Sequence, residues 1–168
     1  LPVVPEHRAT EALIRASGLH FSLLRNNWYS EGYRATVEKA RETGVIEGAA
    51  GDGRVASASR RDFAEAAAAV LTGTGHDNTV YELAGDTAWS FPELATIVSE
   101  ITGRPVEYRN LSVEDYEASL AATGLPADIA GFVAAIDGAI AVGALADASG
   151  DLSRLIGRAT TPVSETLR

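Results

Sequence analysis

Apolar positions along this chain fall into two rhythms. Phe63, Ala67, Val70 and Leu71 share one period, and Leu94, Ile97, Val98 and Ile101 repeat it, with the spacing that gathers side chains on one face of a helix. A hydroxyl stands three residues before a carboxylate ahead of each stretch, Ser59 with Asp62 and Ser90 with Glu93, and Ser112 with Asp115 opens a third. That pairing satisfies free amide donors of a first helical turn reciprocally, so three boxed helix starts are predicted. Gly73, Gly103 and Gly124 close the helices. Glu6 and Glu11 flank the first turns of an earlier helix that carries Leu13 and Ile14 and stops near Gly18, and residues 34–44 give another that ends on Gly44.

The second rhythm is short. Residues 79–85 and 105–112 are rich in β-branched and aromatic side chains between turn formers and read as strands, and 19–24 reads as a buried strand. Gly51, Asp52 and Gly53 lie between short apolar pieces and favour a tight hairpin. An alanine-rich helix is expected over about 126–146, and Thr160, Thr161 and Pro162 suggest the start of a last helix. The alternation of helix and strand predicts one α/β unit with a largely parallel sheet.

Composition narrows the function. With 168 residues, 46% hydrophobic and 22% charged, and a mean hydropathy of +0.02, the chain can bury one sizeable core. A formal charge of −9 offers no basic footprint for a phosphate backbone, so no nucleic-acid partner is expected. No apolar run reaches the roughly 18 residues that cross a bilayer, so no membrane partner is expected and cytoplasmic residence is the default reading. There is no cysteine, and the three histidines are well separated, so no metal site is expected. Methionine is absent, even at position 1, which leads us to expect that an upstream part is missing.

Candidate chemistry concentrates beyond the strand at 19–24. Asn26 and Asn27 can donate and accept, and Trp28, Tyr29 and Tyr33 present flat faces suited to a planar ring. In open α/β sheets ligands bind beyond the carboxyl ends of strands, where these residues fall. The same rings would also serve simply to pack the next helix on the sheet edge. His7, in the first turn of the first helix, offers an imidazole that can donate or accept; His20 and His76 show no partner. Arg60 and Arg61 beside Asp62 look like an ion-paired helix start. No G-x-S-x-G elbow, G-x-G-x-x-G or P-loop spacing occurs.

With residues 5–33, "GAAGDGRVASASRRDFAEAAAAVL", "VYELAGDTAWSFPELA" and "LSRLIGRATTP" in this order, the chain resembles the atypical, NmrA-like short-chain dehydrogenase/reductases, and among them the quinone-reducing members. The resemblance implies the carboxyl-terminal part of a Rossmann-type fold with a small α/β substrate domain: the end of the dinucleotide-binding domain plus the substrate-binding part over residues 1–168, without the glycine-rich amino-terminal half. It implies NADPH or NADH as cofactor, with His7, Asn26, Asn27 and Trp28 toward it, and a planar quinone-like substrate against Trp28, Tyr29 and Tyr33. Against the family's Tyr-x-x-x-Lys, Val3 falls at the tyrosine position and His7 at the lysine position, so the usual proton donor is missing and His7 is the catalytic candidate. Gly32 stands where a side chain is expected. A quinone suits such a site, because hydride transfer to it leaves a stabilised phenolate that water can protonate later.

Loss of that motif also agrees with a non-catalytic, redox-sensing regulator that binds the dinucleotide and a protein partner. If the chain stands alone, strand 19–24 lacks a neighbour and self-association is expected.

Overall fold

The computed structural model describes residues 1–168. Helix α1 (Val4–Ala16) leads into strand β1 (Ser22–Asn26), a 3₁₀ turn (Ser30–Tyr33) and helix α2 (Arg34–Thr43). Strands β2 (Val45–Gly48) and β3 (Arg54–Val55), helix α3 (Arg60–Thr72), and strands β4 (Thr79–Leu83) and β5 (Trp89–Ser90) follow. The remainder is α4 (Phe91–Thr102), β6 (Glu107–Asn110), α5 (Val113–Ala122), α6 (Ala127–Ala141), α7 (Asp151–Ile156) and α8 (Val163–Thr166). No helix is long and apolar enough to cross a membrane.

The expected sheet is broken into three pairs. β1 runs parallel to β4, from Ser22 opposite Thr79 to Asn26 opposite Leu83, and β2 runs parallel to β6. β3 lies antiparallel to β5. The predicted hairpin at Gly51–Gly53 therefore does not form, although the chain does turn there. The amides after β2 are taken by side chains instead: Ala49 donates to Asp137, Ala50 to the Tyr108 hydroxyl and Gly51 to Asn110. Those bonds hold the loop against β6 and α6 and leave β3 to a distant partner.

Two cores form around these pairs. Val37, Ile46, Val55, Trp89, Phe91, Leu94, Val98 and Ile140 gather in the larger, and Phe63, Ala66, Tyr81, Leu83 and Leu152 in the smaller, under β1 and β4. The buried strand expected at 19–24 begins later, at Ser22, and none of its residues is fully buried; Leu19 is 73% exposed. Its one sheet neighbour is β4, and α1 beside it contributes no buried residue. Leu71, assigned to the buried face of α3, is also exposed, in the last turn of that helix.

All three hydroxyl caps form, yet only Ser90 is a complete box. Its Oγ accepts from the Glu93 amide while the Glu93 carboxylate accepts from the Ser90 amide. The Asp115 carboxylate instead accepts from the Ser112 hydroxyl, and Asp62 turns to the other end of the chain. Ser90→Ala is expected to lower stability by about 1 kcal/mol, measurable by urea unfolding. Helix α7 had no counterpart in the sequence reading: it is short, and its Leu152 joins the smaller core.

Candidate functional site

Parallel pairing with β4 sends β1 out of the sheet at Asn26, and the chain is then pinned in place. Asn27 N donates to Leu83 O at 2.8 Å, Ala58 N to Trp28 O at 3.1 Å, and Ser30 N to Ala58 O at 3.0 Å. The segment that carries the candidate aromatic rings thus continues the sheet for one more register, without free backbone to wander. A cleft of about 1270 Å³ opens beside it, walled by α1, the end of β1, the 3₁₀ turn, α5 and α6. Its volume exceeds the roughly 300–1,000 Å³ of a small-ligand site.

His7, Asn26, Asn27, Trp28, Tyr29 and Tyr33 all line this one cleft, though they contribute differently. His7 is exposed and makes no side-chain hydrogen bond within the chain. Both ends of the Asn27 amide are engaged: its Oδ1 accepts from Trp28 N at 2.6 Å and its Nδ2 donates to Leu145 O at 3.3 Å. Tyr33 packs edge-on against Trp89 at 4.9 Å and Phe91 at 5.9 Å and is mostly core; burial raises its phenol pKa. Trp28 is half-buried, with its indole nitrogen 3.8 Å from where a side chain at Gly32 would begin, so Gly32 leaves the indole uncovered. Tyr29 packs edge-on against Phe63 at 5.4 Å with its other side toward Arg60, whose guanidinium lies 5.2 Å from the ring centroid.

That contact corrects the expected Arg60–Arg61–Asp62 ion pairs. Arg61 pairs with Glu65 at 3.0 Å and Asp62 with Arg158 at 2.7 Å, because Arg60 and Arg61 point outward from the helix start while Asp62 points inward. The histidines without expected partners have them: His20 Nδ1 lies 3.0 Å from Asp77 and His76 Nδ1 2.6 Å from the Tyr81 hydroxyl.

Glu11, on the α1 wall, is paired. Arg25 bonds both oxygens of Glu11 at 2.7 Å and reaches Glu82 at 2.5 Å, and the Arg25 hydrogen bonds hold Glu11 below the usual carboxylate range. On the opposite structural element, α6 brings an aspartate that the sequence reading missed. Asp137 is 6% exposed, lines the cleft, and accepts from Ala49 N at 2.8 Å. Burial pushes its pKa up to about 6 against the lowering effect of that amide. Tyr116 and Glu47 join it on the wall. A signal was present: Asp137 is the one charged residue between Asp128 and Asp147, on the helical face shared with Ala130, Ala134 and Ile140.

The fold is that of a Rossmann-type segment, and comparison with known proteins shows what the chain is similar to: quinone oxidoreductases, a triphenylmethane reductase and an NmrA-like oxidoreductase. It is 46% identical to Quinone oxidoreductase 2 of Escherichia coli over 167 residues, which are 99% of this chain and 58% of that protein. The structure of the E. coli NADPH-dependent quinone oxidoreductase QOR2 complexed with NADPH superimposes with a TM-score of 0.96, over 99% of this chain and 59% of that one. Triphenylmethane reductase of Citrobacter sp., complexed with NADP(H), is 38% identical with a TM-score of 0.95, covering 99% of this chain and 59% of its own. An NmrA-like family domain-containing oxidoreductase of Aspergillus flavus is 31% identical over 110 residues, covering 66% of this chain and 36% of that protein. The chain thus spans about three fifths of the length of the first two relatives. No family model matches it.

Proposed function

We propose that the full-length protein carrying this chain is an NAD(P)H-dependent reductase that passes hydride to a quinone or a similar planar acceptor. The carrying observation is the shared cleft: one exposed imidazole, one half-covered indole and three phenols line a single space at the end of a parallel strand. The relatives support the reading, since one is a quinone oxidoreductase solved with NADPH and another is named NAD(P)H azoreductase.

The residues present fit one end of the coenzyme. The cleft has the volume, His7 is free to hydrogen-bond a ribose hydroxyl, and Asn26 and Trp28 can lie along a nicotinamide ring. No G-x-G-x-x-G stretch for the pyrophosphate occurs in the chain. When bound, the reduced coenzyme supplies the hydride. This chain's own residues hold the acceptor: Trp28 and Tyr29 offer ring faces, and Gly32 leaves the indole accessible.

The test is NADPH and NADH oxidation by full-length protein with and without a soluble naphthoquinone. Acceptor-dependent turnover is expected; coenzyme binding with no such turnover would overturn the reductase reading. Trp28→Ala is expected to raise KM for the quinone about tenfold, the equivalent of one aromatic stacking contact, with kcat within about threefold. Steady-state kinetics check this, and an unchanged KM would remove the indole from the acceptor site.

A further inference from the structure

We propose that Asp137 is a catalytic acid of this site, giving its carboxyl proton to the oxygen of a quinone-type acceptor as hydride arrives. The inference rests on the reductase reading above and adds a residue and a proton path to it.

The geometry is that of a carboxyl held ready and left half unused. Asp137 sits on the inward face of α6, almost wholly buried, yet on the wall of the cleft that also holds His7 and Trp28. One oxygen accepts from Ala49 N at 2.8 Å; the other accepts no hydrogen bond from the protein. The first oxygen rests on bare backbone, since a side chain at Gly48 would begin 2.8 Å from it and 3.2 Å from the Tyr108 ring. No cation neutralises the carboxylate. The titratable groups that face it from the surrounding elements are the phenols of Tyr33, Tyr108 and Tyr116, with Glu47 and Asp52 beyond them. Burial disfavours the charged carboxylate and outweighs the Ala49 amide, so a proton is retained to about pH 6. A surface aspartate would have lost it roughly two pH units lower.

The step balances. The acceptor gains two electrons and one hydrogen as hydride from the reduced nicotinamide coenzyme, which leaves one of its oxygens as a phenolate. The O–H bond of the Asp137 carboxyl breaks, the phenol O–H bond forms, and the aspartate carboxylate takes a new proton from water. Transfer from an acid near 6 to a phenolate whose conjugate acid lies near 10 is downhill. At pH 7 roughly one molecule in ten carries the proton, so turnover on the quinone rises about fifty-fold as pH falls from about 8 to 6 and levels below about pH 5.

Asp137→Asn separates this role from a positioning one, because the amide oxygen can still accept from Ala49 N. Two acceptors are compared in full-length protein at saturating NADPH. A naphthoquinone needs a proton on oxygen; a cationic triphenylmethane dye takes hydride on carbon and needs none. The expected result is a kcat loss of about 100-fold on the quinone, with the decline of its rate above about pH 6 gone, and a dye kcat within about twofold of wild type. A coenzyme-free readout accompanies it: with ¹³C-labelled aspartate, one carboxyl resonance absent from Asp137→Asn titrates near pH 6 and shifts when the naphthohydroquinone is added. Unchanged quinone turnover in the variant, equal losses on both acceptors, or a resonance indifferent to the hydroquinone would each overturn the proposal. Wild-type protein idle on both acceptors would overturn the underlying reductase reading instead.

Discussion

Replacing Asp62 by alanine is expected to destabilise the protein by about 3 kcal/mol. The residue occupies the third position of α3 and is completely buried, and its carboxylate receives four separate claims on its charge. Thr161 donates from its backbone amide at 2.7 Å and its hydroxyl at 3.0 Å, Arg158 donates from 2.7 Å, and the positive end of the α3 dipole lies directly below. A few residues away Thr160 and Asp86 bond reciprocally, each amide to the other's side chain. Residues 158–161 are thereby clasped onto α3 and the end of β4. Removing one partner of a buried charge pair leaves the others desolvated without compensation, which costs roughly 3–5 kcal/mol; Arg158 is 41% exposed and rehydrates, which puts the effect at the lower end. Asp62→Asn, which keeps an acceptor for Thr161, is expected to lose about half as much.

The same carboxylate sets an acid limit. Burial alone would raise its pKa, but the Thr161 amide, Arg158, the Thr161 hydroxyl and Ser59 together more than offset that, so it lies below the ordinary aspartate value. A folded-state pKa depressed below the unfolded one contributes stability that is complete above about pH 4 and is lost as pH falls through the folded value. Urea midpoints measured from neutral pH downward should therefore fall for wild type below about pH 4 and fall less for Asp62→Ala. Parallel wild-type and variant curves would show that the clasp carries no net charge energy.

What the sequence disclosed follows from how local the cause was. Ser59, Ser90 and Ser112 each cap their helix with an atom three residues away, so pattern and structure agree at all three starts. The carboxylate half of the box failed at Asp62 because a stronger set of donors, 96 to 99 residues distant, competes for it. Gly51–Gly53 looked like a hairpin because a turn signal states that the chain reverses, not which strand it meets. The site divides the same way. Its aromatic rim was legible because six consecutive residues carry it at a strand end, whereas Asp137 lies over 100 residues later in a helix whose apolar run masks a single acid. Only the packing of α6 against the loop after β2 turns that acid into a buried, half-satisfied carboxyl.

That packing rests on a second glycine, and Gly53→Ala is the substitution expected to do most damage to fold and site together. A methyl group there would overlap the carbonyl oxygen of Ile140, stand 2.6 Å from its carbonyl carbon and 2.8 Å from the Ala50 oxygen. All three are backbone atoms, so no rotamer change relieves the contact and α6 must move as a unit; overpacking of this kind costs about 3 kcal/mol or more. Asp137 lies one turn earlier on the same helix, so the displacement also loosens its bond to Ala49 and admits water to the carboxyl. Gly51→Ala provides the control: its φ of +53° strains an alanine by about 1 kcal/mol, but its added carbon meets nothing within 4 Å. Denaturant unfolding should rank the two variants by threefold in stability loss. The aspartate resonance should return toward the ordinary carboxylate range in Gly53→Ala alone, and its staying near pH 6 there would mean that α6 is held by contacts other than this close approach of two backbones.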